Sequence, residues 1–216
     1  MSAQEDTFIS HLVELRDRLL RAVVAIAVAF VCLMPWAGEI YDILAHPMMQ
    51  ALPEGTRMIA TGVVTPFFVP MKVTLLVAFV VALPFVLYQA WCFIAPGLYA
   101  HEKRLGLPLV IGSTILFLAG MAFCYFFVFG TVFKFIAQFA PKSITPAPDI
   151  EQYLAFVMSM FLAFGITFEV PVFVIVLVKL GVVDVPKLKE ARPYVIVGAF
   201  IVAAVVTPPD PFSQFI

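Results

Sequence analysis

The chain has 216 residues, 63% of them hydrophobic and 12% charged, with a mean hydropathy of +1.06. Soluble domains carry about 25% charged residues, so this composition excludes one and indicates an integral membrane protein. A net charge of −1 excludes an electrostatic nucleic-acid binder, which needs a basic patch or stripe.

The opening segment, MSAQEDTFISHLVELRDRLLRAVV, sets acids and polar residues ahead of its apolar run. It shows no clean small-residue cleavage site, so it reads as a retained segment, not a cleaved signal. Phe8, Leu12, Leu15 and Leu19 recur at helical spacing, which predicts an amphipathic helix running into the membrane. Glu14, Arg18 and Arg21 fall on another stripe, and Glu14 to Arg18 is the favourable i,i+4 order. On this segment alone, a self-satisfied surface pair accounts for them.

A bilayer asks for about 20 apolar residues per helix. Spans are expected from about Leu19 to Trp36, Pro70 to Ile94, Leu105 to Phe133, Tyr153 to Leu180, and Tyr194 to Val206. The fifth, roughly 13 residues, falls short of that ruler and ends at the turn-forming TPPDP. Phe212 to Ile216 reads as the start of a truncated sixth span. Of the 13 Lys and Arg residues, nine fall in the N-terminal segment, around 101–104 and in 179–192, against four on the other side. The positive-inside rule therefore predicts a cytoplasmic N terminus, with 37–69 and 134–152 facing outward.

In the first outer loop, Ile40, Ile43 and Leu44 predict a short amphipathic helix, followed by a Pro-Glu-Gly turn. Its many apolar residues need burial, so it reads as an outer cap closing one end of the bundle. The second outer loop is proline-rich, with an expected helix N-cap at Asp149 and Glu151 in the first turn. Cys32, Cys92 and Cys124 all lie in apolar stretches without metal-ligand spacing and read as small hydrophobes. No cofactor or metal site is expected.

Two places carry chemistry. The inner loop AWCFIAPGLYAHEKRLG holds Glu102 on a very short turn, with Trp91, Phe93 and Tyr99 expected at the membrane interface. A partly desolvated carboxylate there favours a planar, bidentate guanidinium partner, although Lys103 and Arg104 could neutralise it instead. The other place is FLAFGITFEVPVFVIVLVK, a run apolar enough to span that nonetheless contains Glu169 and, two residues on, Pro171. An acid inside a membrane helix costs about 2.5–3.5 kcal/mol on insertion scales and is functional by default.

HLVELRDRL, FIAPGLYAHEKR, FGITFEVPV and RPYVIVGAFIVAAVVTPPDPFSQ together resemble the TatC family, the multispanning receptor subunit of the twin-arginine protein translocase. The resemblance covers essentially the whole chain. It implies an all-α integral membrane protein forming one transmembrane domain over residues 1–216, with helices in a concave, glove-like wall and five of an expected six spans present. It also implies a multi-pass protein of the bacterial cytoplasmic (inner) membrane. Such a protein is not an enzyme. It receives twin-arginine signal peptides and supports export of folded proteins on the proton-motive force.

On this resemblance, Glu102 is the main acceptor for one ligand arginine and Glu14 helps with the other, while Phe93, Pro96, Leu98 and Tyr99 shape the site. Arg16 either orients Glu14 or touches the polar side of the signal peptide. Glu169, with Pro171 beside it, matches the family's intramembrane acid, a contact for a polar residue of a partner helix. Thr207, Pro208, Pro209, Asp210, Ser213 and Gln214 form the docking edge for single-span subunits of the TatA and TatB type. Other copies of the chain and the lipid bilayer complete the expected partners.

A proton- or ion-coupled transporter with Glu169 as carrier is the alternative, but no matching broken helices in two halves are visible. An intramembrane hydrolase lacks its residues: no HExxH occurs, and His11, His46 and His101 fall outside the spans.

Overall fold

Backbone polar groups in lipid must pair internally, which leaves helices or closed barrels as spanning structures. The structure, a computed structural model, describes residues 3–53, 55–94, 106–139, 147–179, 181 and 183–206, and these are all-helical apart from connecting turns. Helix α1 (Ala3–Leu33) passes through a short 3-10 turn at Met34–Trp36 into α2 (Ala37–Ala51). There follow α3 (Thr65–Ile94), α4 (Gly106–Phe123), a π-helical turn at Cys124–Val128, α5 (Phe129–Phe139), α6 (Ile150–Lys179) and α7 (Val185–Val206). Among the described residues, four helical runs are long and apolar enough to cross a membrane, beginning at Ile9, Thr65, Gly106 and Ile150.

The rods run alternately, so the bundle has an N-terminal end (starts of α1, α4 and α7; ends of α3 and α6) and a cap end carrying α2. Helix α1 packs along α3, α4 packs against α3 and α6, and α7 reaches mainly α6. The helices thus make an open row. Small residues bring α4 and α6 together: a Cβ on Gly120 would stand 2.6 Å from the Phe164 carbonyl oxygen, and one on Gly165 would strike the Phe117 ring. Hydroxyls inside the helices bond back one turn, as with Thr74 to the Pro70 carbonyl and Thr114 to that of Val110, both at 2.8 Å.

The main core sits at the cap end. Leu44, Val69, Val73, Val128, Phe129, Val132, Leu154, Val157 and Met160 are buried together there. Pro47 explains how the cap is fastened. Lacking an N–H, it leaves the Ile43 carbonyl without its helical donor. The Tyr125 hydroxyl, carried on the π turn, donates to that carbonyl at 2.8 Å, and the Tyr153 hydroxyl donates to the Leu44 carbonyl at 2.7 Å.

A second fastening joins the two cap-side connections. Ile59 and Asp149 form an isolated parallel bridge, with Ile59 N–H donating to Pro148 and Ile150 N–H to Ile59, each at 2.9 Å. Asp149 Oδ2 accepts from the Thr61 hydroxyl and N–H, while Oδ1 caps α6 through the Glu151 and Gln152 N–H groups. The N-cap expected at Asp149 is therefore formed. These bonds, led by the Thr61 hydroxyl, hold the Asp149 carboxyl below the ordinary Asp range. Helix α6 ends against Gly181, whose φ of +69° suits the left-handed position after a helix.

Candidate functional site

At the N-terminal end, the first turns of α1 lie against the last turns of α3. His11 and Phe93 stack face to face, with ring centroids 4.3 Å apart and an interplanar angle of 21°. About two turns further along α1, Arg18 donates through Nε (3.0 Å) and Nη2 to the same Glu14 oxygen, Oε1. The Arg18 and Glu14 side chains are 22% and 35% exposed, so water screens the pair only in part. Arg16 pairs with its neighbour Asp17 instead, and at 66% and 46% exposure that contact belongs to the surface. Arg16 therefore does not touch Glu14 by an ion pair here. On α3, Cys92 and Tyr88 lie beside Arg18.

Trp91 behaves differently from the expectation of an interfacial anchor. It is buried with Val110 and Val176, and its indole covers Gly106, where any Cβ would collide with Nε1. The glycine at the start of α4 is what admits the ring. Glu102, Pro96, Leu98 and Tyr99 lie outside the described residues, as do Thr207, Pro208, Pro209, Asp210, Ser213 and Gln214.

Glu169 lies in the C-terminal half of α6, towards the N-terminal end of the bundle, beside the buried hydroxyl-bearing Ser113 of α4. Its Oε1 is buried without a hydrogen-bond partner. Pro171, exposed on the same helix, withholds the N–H that the Thr167 carbonyl would otherwise accept. Glu169, Ser113 and the Thr167 carbonyl thus give one stretch of wall a polar character amid apolar neighbours. An unpaired buried oxygen costs about 1–3 kcal/mol, which marks the spot as arranged for something else.

The structure brings Glu14 and Phe93 to one end of the α1–α3 contact and sets Glu169 apart on α6. Three groups escaped sequence reasoning. His11 joins the site only through a partner 82 positions away, Ser113 looks like any small residue in an apolar helix, and Gln89 is buried with its Oε1 unpaired. Of these only Gln89, a carboxamide in an apolar run, carried a signal.

Residues 10–216 match the family model described as Sec-independent protein translocase protein (TatC). The chain is 49% identical over 212 residues to the Sec-independent protein translocase protein TatC of Escherichia coli K12, covering 97% of this chain and 82% of that protein. It is 51% identical over 213 residues to the protein of the same name from Azotobacter chroococcum, covering 99% and 84%. A crystal structure of the twin arginine translocase receptor TatC superposes with a TM-score of 0.82 at 38% identity, over 95% of this chain and 90% of that one. A second crystal structure of that receptor, in DDM, gives 0.84 at 37% identity over 95% and 91%. An all-helical membrane protein with this helix order, these motifs and these likenesses belongs to the TatC family.

Proposed function

We propose that this chain is the signal-peptide receptor and core subunit of a twin-arginine translocase, taking folded cargo across a bacterial cytoplasmic membrane on the proton-motive force. The observation that carries the reading is the Glu14 carboxylate, part-buried on α1 one turn from the His11 of the His11–Phe93 stack and already holding a guanidinium. A site able to seat the fork of Arg18 has the chemistry to seat the fork of a ligand arginine. Glu102 supplies the second acceptor that two arginines need, and Phe93, Pro96, Leu98 and Tyr99 line its approach. Arg16, tied to Asp17, faces water and meets the polar side of the peptide.

Glu169 serves the later steps. It offers a carboxyl, with Ser113 at its side, to a polar residue on a single-span TatA- or TatB-type helix. Pro171 leaves a further carbonyl open nearby. The end of α7 and the segment from Thr207 to Gln214, with Pro208, Pro209, Asp210 and Ser213, dock those small subunits and other copies of the chain.

Binding of a fluorescent twin-arginine peptide to the membrane-embedded protein tests the reading. Glu102→Ala should abolish measurable binding, the loss of a charged hydrogen bond costing about 1.5–3 kcal/mol, and Glu14→Ala should weaken it less. A twin-lysine peptide should bind poorly. Unchanged affinity in the Glu102→Ala protein would overturn the assignment.

A further inference from the structure

The two inter-helix contacts at the N-terminal end, His11 with Phe93 and Arg18 with Cys92 and Tyr88, bracket one residue of interest on each helix. On α1 it is Glu14. On α3 it is Gln89. At about 100° per residue, Gln89 lies about 60° from Cys92 and about 40° from Phe93, one turn along the face that those residues present to α1. It is only 6% exposed, yet Oε1 has no partner. A buried amide oxygen normally finds a donor, so an open acceptor within this contact calls for a reason.

Arg18, on the facing helix beside Cys92 and Tyr88, carries donors of the kind that oxygen lacks. Its guanidinium gives two N–H groups to one Glu14 oxygen, so the acid that would receive a ligand arginine is occupied by the chain's own arginine. We propose that Arg18 is an internal stand-in for the ligand, holding Glu14 in the free protein and passing to the Gln89 carboxamide oxygen when a ligand guanidinium takes the carboxylate. The proposal rests on the receptor reading above. Arg18 and Gln89 then set affinity without touching the ligand: Arg18 lowers the fraction of molecules with an open carboxylate, and Gln89 raises it. Apparent affinity scales with that fraction. The exchange also keeps the Arg18 guanidinium hydrogen-bonded after it leaves Glu14, which a simple release would not.

The test titrates a fluorescent twin-arginine peptide against the purified full-length protein in detergent micelles. Arg18→Gln should bind about two- to fivefold tighter, the range of a partly exposed ion pair released from competition. Arg21→Gln, an equal loss of charge one turn away, should change affinity less; equal tightening would show bulk electrostatics and overturn the exchange. Gln89→Leu should bind about two- to tenfold weaker in the wild-type background and show no change in the Arg18→Gln background. An equal loss in both backgrounds overturns the proposal. Gln89→Leu should also melt at or above the wild-type temperature, because it removes an unpaired buried oxygen. A lower melting temperature would make Gln89 a structural residue and refute its role as receiver. Wild-type protein that fails to bind the peptide would bring down the receptor reading and the exchange with it. Binding that ignores Arg18 would bring down the exchange alone.

Discussion

Tyr125→Phe removes one oxygen from the protein and tests why the cap stays in place. In α2, Pro47 cannot donate to the Ile43 carbonyl, and the Tyr125 hydroxyl does so instead at 2.8 Å. Removing the hydroxyl leaves that carbonyl dependent on whatever water reaches it. A fully buried acceptor left unmade costs about 1–3 kcal/mol, and because this contact is partly exposed the lower end, about 1 kcal/mol, applies. For a chain of this size that is roughly 2–4 °C in melting temperature. Tyr153→Phe acts on a buried bond at 2.7 Å and should cost more, towards about 2 kcal/mol, moderated because Leu44 still has Met48 as a helical donor.

The decisive measurement is a double-mutant cycle, read as melting temperature in detergent by fluorescence-detected size exclusion. Pro47→Ala restores an N–H four residues after Ile43, so the helix can satisfy its own carbonyl. Tyr125→Phe should then cost appreciably less in the Pro47→Ala background than in the wild type. Equal cost in both backgrounds would refute the claim that the hydroxyl substitutes for the missing helical donor.

Three further outcomes follow from the same geometry. Glu169→Ala should leave twin-arginine peptide affinity unchanged while reducing co-purification of the small single-span subunit and export of cargo, with Glu169→Gln milder because the amide keeps a donor and an acceptor. Unaltered export in both variants would make Glu169 a tolerated polar residue. Reporters fused at residues 60 and 145 should read as external, and those at 103 and 186 as cytoplasmic; the reverse pattern overturns the charge argument. The Asp149 carboxyl is depressed chiefly by the Thr61 hydroxyl, so its contribution is present above the unfolded value of about 3.9 and is lost as pH falls through the folded value. Melting temperature followed from about pH 6 downward should fall less steeply in Asp149→Asn than in wild type over that acid range, and parallel curves would refute the linkage.

The fold class was legible because bilayer crossing dictates long apolar stretches, and the helix α1 through to α7 order follows them. The Glu14–Arg18 pair and the Asp149 cap were legible for a different reason: both are set within four residues of local sequence. What stayed hidden is which face of each helix meets protein. A helix bordered by lipid is apolar all round, so hydrophobic periodicity cannot tell Val73, fully buried, from Leu75, half exposed. The same blindness hid the place of Trp91, which turns inward because Gly106 leaves room for it, and the neighbour of Glu169. Phe93 was named, but its partner His11 was not, since no local pattern links residues 82 apart.

Packing and chemistry divide along the length of the bundle. The cap end holds the large core, two tyrosine hydroxyls on α2 carbonyls and the Asp149 fastening. The N-terminal end holds a small cluster of Trp91, Val110 and Val176. Both unpaired buried side-chain oxygens among the described residues, those of Gln89 and Glu169, lie in the halves of α3 and α6 nearer that end. A rigid end with satisfied polar groups can hold the helices in register, which frees the opposite end to carry groups whose partners arrive from outside. Such unmet groups are tolerable only where the rest of the structure over-determines the fold. Cap variants should therefore be read first in stability, and variants of Glu14, Arg18, Gln89 and Glu169 first in binding and assembly.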